Sequence, residues 1–128
     1  MSGFAIVNLM ELEDGSGGRV PGLEARFGRR HLGSEHIGVS HQRYGANVRS
    51  RMGHSHREQE EVYVVVAGSG RVLLDGEPHD IRQWDVVRVS PPVVRAFGAG
   101  ADGLELIAIG SDRPEGGDGV AGEAAWPD

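Results

Sequence analysis

The 128-residue chain contains no cysteine, which removes disulfide bridges, thiolate nucleophiles and every cysteine-bearing zinc site at once. Any metal must therefore sit on nitrogen and oxygen. Lysine is absent too, since all 13 basic residues are arginine, so Schiff-base chemistry and a lysine-linked pyridoxal cofactor are closed to it. Threonine is missing as well; an arginine-only, Gly-, Ala- and Val-rich vocabulary is what a GC-rich genome writes. Aromatic residues make up only 5%, too few to interleave with arginines as a stacking platform for single-stranded nucleic acid. Positive charge is in deficit, 13 Arg against 19 Asp plus Glu for a net charge of −6, so there is no general pull towards nucleic acid or an anionic membrane. No apolar run approaches the roughly 18 residues of a transmembrane helix. Met1–Met10 lacks a charged stretch followed by a long apolar one, and a cytoplasmic location is the expectation.

What is present points to one small β domain. The 21 glycines and six prolines suit many short strands better than long helices. Glu61-Val62-Tyr63-Val64-Val65-Val66 is the clearest strand, an unbroken β-branched and aromatic run. Gly68-Ser69-Gly70 and then Arg71-Val72-Leu73-Leu74-Asp75 read as a hairpin turn and its return strand. Further strands are expected at 37–44, 85–89, 93–97 and 104–109, with a turn at Asp75-Gly76-Glu77-Pro78. Such spacing, without a useful helical period, predicts an all-β antiparallel sandwich or barrel. Residues 1–30 are read as an N-terminal arm with an edge strand at Phe4–Leu9. Residues 31–110 are read as the barrel, and 111–128 as a flexible Gly-rich, acidic tail. Trp126 is its one large anchor.

The chemistry concentrates in Gly53-His54-Ser55-His56-Arg57-Glu58-Gln59-Glu60-Glu61. Two histidines at i and i+2 on an extended backbone face the same side, as two ligands of one metal must. A carboxylate from the adjoining strand completes a 2-His-1-carboxylate set with coordination positions left open. Only one of Glu60 and Glu61 can face that way. Two other readings stand beside this one: the pair as surface residues of a loop, and the pair as hydrogen-bonding groups for an organic ligand without metal. His41, on the preceding strand, joins the set only if its face is inward.

The same stretch resembles the first motif of the cupin family: glycine, five residues, H-x-H, three or four residues, glutamate, six residues, glycine. His54-Ser55-His56, four residues, Glu61, six residues and Gly68 match it, with Val48 at the opening glycine. The six-residue spacing to Gly68 selects Glu61 over Glu60. The second cupin motif maps onto Trp84 to Ala99 by spacing but not by identity. Trp84 stands for its glycine, Ser90 for its proline, Pro92 for its second glycine and Ala99 for its asparagine, while Arg95 takes the place of the fourth ligand, a histidine. The resemblance covers about residues 37–110 and implies a cupin-type double-stranded β-helix, or jelly-roll barrel. It also implies a divalent Fe, Mn, Ni or Zn ion on His54, His56 and Glu61.

Arg95 cannot replace imidazole as a ligand, because a guanidinium has five donors and no acceptor. Inside a barrel it needs an anion: Glu61, another Asp or Glu, or the carboxylate or phosphate of a small molecule. Paired with Glu61, it diverts the carboxylate and leaves the site metal-free. Standing over a metal, it clamps the acidic end of a bound ligand. Tyr63 and Val65 share the strand parity of Glu61 and are expected to line the interior. Hence two functions are expected: a metal-dependent enzyme of oxygenase or isomerase type on a small acidic metabolite, with Arg95 and Tyr63 contacting it, or a metal-free sensor or accessory barrel binding a small molecule. Val62, Val64 and Val66 make the opposite face apolar too, which suggests a homodimer.

Overall fold

A computed structural model of the chain describes residues 3–128. Eight strands form one strongly curled antiparallel sheet: β1 (Leu23–Phe27), β2 (Gly38–Tyr44), β3 (Met52–His56), β4 (Glu61–Leu74), β5 (Glu77–Arg82), β6 (Val86–Val89), β7 (Arg95–Gly110) and β8 (Gly119–Glu123). One helical turn, α1 (Arg29–Leu32), lies between β1 and β2. Among the described residues no helix is long and apolar enough to cross a membrane.

β4 and β7 run antiparallel along most of their length and change neighbours halfway. Glu61–Val65 lies opposite Leu106–Gly110, and Gly70–Leu74 opposite Arg95–Ala99, with register shifts between Val65 and Ala67 and between Gly68 and Gly70. The leading half of β4 also takes β6, and its trailing half takes β5. Likewise β7 takes β3 at Arg95 and β2 from Leu104 onward. Two long bent strands thus roll the sheet over a core. Tyr63, Val65, Val72, Phe97, Leu104 and Leu106 are buried in it, with the Tyr63 and Phe97 ring centroids 4.7 Å apart. Each such fully buried side chain stabilises the fold by roughly 1.5–3 kcal/mol.

The sequence reading is corrected at several points. Gly68-Ser69-Gly70 is a bend within the continuous β4 and not a hairpin turn. Gly68 has φ +76, and a Cβ there would run into the Gly103 carbonyl of β7. Glycine here permits two strands to cross closely at a bulge, a demand that reads like a turn in sequence. The real hairpin is the next one, where Asp75 (φ 49) and Gly76 (φ 83) supply the two positive-φ residues of a type I′ turn between β4 and β5. Phe4–Leu9 forms no strand. Instead Phe4 and Ile6 are exposed, and a 3-10 turn follows at Leu9–Glu11. β1, within the segment read as an arm, pairs with β2. β8, within the segment read as a flexible tail, pairs along all of β3.

Candidate metal centre

His54 and His56 project from the same side of β3, as the alternation of an extended strand requires. β8 holds one edge of that strand. On the other edge His54 pairs with Arg95 of β7, and the His56 amide donates to the Pro91 carbonyl at 2.7 Å. Glu61 opens β4, fixed between Val89 of β6 and Gly110 of β7. One nitrogen from each histidine and one oxygen of Glu61 lie within 4.8 Å of one another. Glu61 Oε1 is 3.5 Å from His54 Nε2 and 3.1 Å from His56 Nε2, and the two rings stand edge to face with centroids 5.0 Å apart.

Glu61 Oε1 also accepts a 2.6 Å hydrogen bond from the Tyr63 hydroxyl. Burial, and then the Glu61 charge, push the Tyr63 phenol well above its ordinary pKa, so it stays a donor. Burial alone pushes the Glu61 carboxyl up, but the contacts with His54 and Tyr63 and the imidazole charges outweigh it and bring the pKa down to about 2. His56 Nδ1 lies 2.8 Å from Asp118 Oδ1, and Asp118 Oδ2 accepts from the amides of Glu58 (2.7 Å) and Gln59 (2.8 Å). Burial would raise the Asp118 pKa as well, yet those two amides and the imidazole lower it to about 2.

Whether these residues fit a metal ion is decided at His56. An ionised Asp118 only accepts, so Nδ1 carries a proton and Nε2 is the ring atom that remains to serve as a ligand. That Nε2 is buried and has no hydrogen-bond partner, although a carboxylate oxygen lies 3.1 Å away. With Nδ1 held by Asp118, the His56 Nε2, the His54 imidazole and the Glu61 oxygen converge within 4.8 Å of one another, a donor set suited to a divalent cation that takes the place of the Nε2 proton. The residues fit.

The sequence matches no family model and no curated protein. Solved structures do resemble this one. A cupin protein from Bacteroides fragilis superposes with a TM-score of 0.73 at 20% identity, over 89% of this chain and 88% of that chain. A cupin-superfamily sugar phosphate isomerase from Silicibacter pomeroyi gives 0.71 at 18% identity, over 86% and 77%. The chain has the cupin fold. A variant of oxalate decarboxylase from Bacillus subtilis matches at 0.69 and 20% identity, with this chain spanning 30% of that one.

Within the cupin frame the degenerate second motif becomes intelligible. Trp84, at the motif's glycine position, has φ +74, the left-handed conformation that glycine adopts freely and a tryptophan does not. Its amide donates to the Val65 carbonyl at 2.7 Å, so the turn persists without its glycine. Arg95, at the position of the missing histidine, is fully buried. Its guanidinium donates to the carbonyls of His54 (3.2 Å) and Ser90 (3.3 Å), while Nε stands 3.8 Å from Glu61 Oε1 with no hydrogen bond.

A cavity of about 550 Å³ opens beside the cluster, lined by His54, His56, Glu61 and Tyr63, with Ser40, Gln42, Tyr44 and Gln59 around them and Arg29 and Arg113 also on its wall. Arg95 is not on that wall, contrary to the expectation that it reaches a ligand; its charge faces Glu61 instead. His41 lies on the other face of β2, its Nε2 3.0 Å from Glu105 Oε1, and does not join the cluster. Sequence reasoning missed Asp118 and the two wall arginines. Asp118 sits in Gly116-Gly117-Asp118-Gly119, where no periodicity or motif marks it.

Proposed function

We propose that this protein binds a divalent transition metal (Fe, Mn, Ni or Zn) through His54, His56 and Glu61 and holds a small acidic molecule in the adjoining cavity. The observation that carries the reading is the buried, unpartnered His56 Nε2 in contact with the Glu61 carboxylate. Three protein ligands leave coordination positions open, and a bound metal supplies Lewis acidity to whatever occupies them.

The protein's own groups account for the rest. Tyr63 holds the Glu61 oxygen by its hydroxyl, and with the imidazoles it keeps the carboxylate ionised, while the Arg95 charge stands 3.8 Å away. Arg29 leaves most of its donor fork free, with only Nη2 donating to the Ser111 carbonyl at 3.0 Å. Its guanidinium packs against the bare backbone of Gly38, where a Cβ would lie 2.7 Å from Nη2. A guanidinium held in this way on a cavity wall suits a carboxylate or phosphate. Two proteins of similar fold, the oxalate decarboxylase and the sugar phosphate isomerase, are named for anionic substrates.

A second reading is favoured by one observation, the Arg95 charge 3.8 Å from Glu61, which neutralises the carboxylate without a metal and leaves a barrel that binds organic ligands. Elemental analysis of protein purified without chelator separates the two. Near-stoichiometric metal, lost in both His54→Ala and Glu61→Ala, supports the first reading. No metal after incubation with each of the four ions refutes it.

A further inference from the structure

We infer that Asp118 is the positioning residue of the metal centre, and that the centre is complete only when residues 118–123 are docked along β3 as β8. The inference rests on the metal-binding reading above and adds a part of the chain that neither cupin motif contains.

One carboxylate organises the whole link between two ligands. Asp118 Oδ1 takes His56 Nδ1, Oδ2 takes the amides of Glu58 and Gln59, and the Asp118 carbonyl takes the amide of Arg57 at 3.3 Å. Residues 56–59, which lead from His56 towards Glu61, are therefore wound around Asp118. Its side chain is completely shielded from solvent, so each of these bonds is made without competition from water. A ligating imidazole that donates its second N–H to a carboxylate is fixed in tautomer and rotation and becomes a stronger ligand. Without Asp118 the ring is free to place its proton on Nε2, which blocks coordination through that atom.

The position of Asp118 depends in turn on β8. Gly119, Val120 and Ala121 pair with His56, Ser55 and His54. Further on, the Ala124 amide donates to the Arg51 carbonyl at 3.1 Å, and Trp126 Nε1 donates to the Ser50 carbonyl at 2.8 Å. The strand that carries two ligands is thus latched along its length by the segment that orients one of them. Metal binding and docking of this segment must then favour each other by the same factor.

The test uses the full chain with Zn²⁺ as probe. Asp118→Ala is expected to weaken Zn²⁺ binding by about ten- to a hundredfold. Asp118→Asn, which keeps an oxygen for His56 but no charge, should fall between it and the wild type, and it serves if the alanine variant does not fold. Long-range ¹H–¹⁵N NMR of the metal-free protein should show the His56 proton on Nδ1 in the wild type and a shift towards Nε2 in Asp118→Ala. Saturating Zn²⁺ should slow hydrogen exchange of the Val120 and Gly122 amides, which face β3 in the register of the two strands, in the wild type. Wild-type affinity in a folded Asp118 variant, or a wild-type His56 whose Nδ1 carries no proton, overturns the inference. A wild type that binds no Zn²⁺ defeats the metal reading instead, and the tautomer still decides what Asp118 does to His56.

Discussion

Replacing Arg95 by methionine asks whether the buried guanidinium braces the barrel or offsets a carboxylate. At the 3.8 Å separation of Nε and Glu61 Oε1, an effective dielectric of about 20 gives an attraction of at most roughly 4 kcal/mol. The two hydrogen bonds to carbonyls, at 3.2 and 3.3 Å, are long and contribute about 1.5 kcal/mol each. Against these stands the cost of burying a guanidinium completely, several kcal/mol. The terms nearly cancel, so Arg95→Met, which fills similar space, should lie within about 1 kcal/mol of the wild type. Removing only the carboxylate is different. Glu61→Gln leaves the Arg95 charge buried without an anion and should cost about 3 kcal/mol or more. The double variant should recover most of that loss, a coupling of about 2 kcal/mol in the cycle. Urea unfolding of all four proteins in chelator measures it. If Arg95→Met is more destabilising than Glu61→Gln, or the two losses simply add, the reasoning fails and the guanidinium is a structural brace on the carbonyls.

Other consequences follow from backbone and charge. Trp84 is mostly exposed and holds φ +74, a conformation costing about 1–2 kcal/mol for an L-residue, so Trp84→Gly should raise the urea midpoint despite glycine's entropy cost; a lowered midpoint counts against the strain. Gly68→Ala combines a positive φ with a collision against the Gly103 carbonyl, and thermal unfolding should show a loss of several kcal/mol, of the order seen when backbone strain and overpacking coincide. Because the folded Glu61 pKa of about 2 lies below its ordinary 4.5, the group stabilises the fold fully above pH 4.5 and progressively less as pH falls towards 2. By linkage this amounts to about 3 kcal/mol. In an acid titration of stability, Glu61→Gln should lack that portion of the slope, and an unchanged slope contradicts it.

How much of this was legible in sequence depends on how local each signal is. The His54 and His56 pairing rests on strand alternation, and Glu61 on the motif spacing to Gly68 that the cupin resemblance implies; the structure brings these three together. Trp84 and Arg95 could be placed by register with the second motif, but not their environments, since burial of Arg95 depends on Ser90 and on a strand some 40 residues away. The bend at Gly68 was misread because turns and bulges ask for the same residue; only the approach of Gly103 from β7 distinguishes them. Asp118 was beyond reach. It meets His56 across a separation of 62 residues, and nothing in a run of glycines and acids marks one carboxylate as buried. β8 was hidden for a related reason: Gly119-Val120-Ala121-Gly122-Glu123 has little strand propensity, and its pairing is imposed by β3.

The most direct test of the central claim is to titrate ¹⁵N-histidine-labelled protein with Mn²⁺ and follow the ring resonances of all six histidines. His54 and His56 should broaden first and at stoichiometric metal, before His31, His36 and His79. Broadening that begins at the surface pair of His36 and Asp112, or that never reaches His54 and His56, would contradict it.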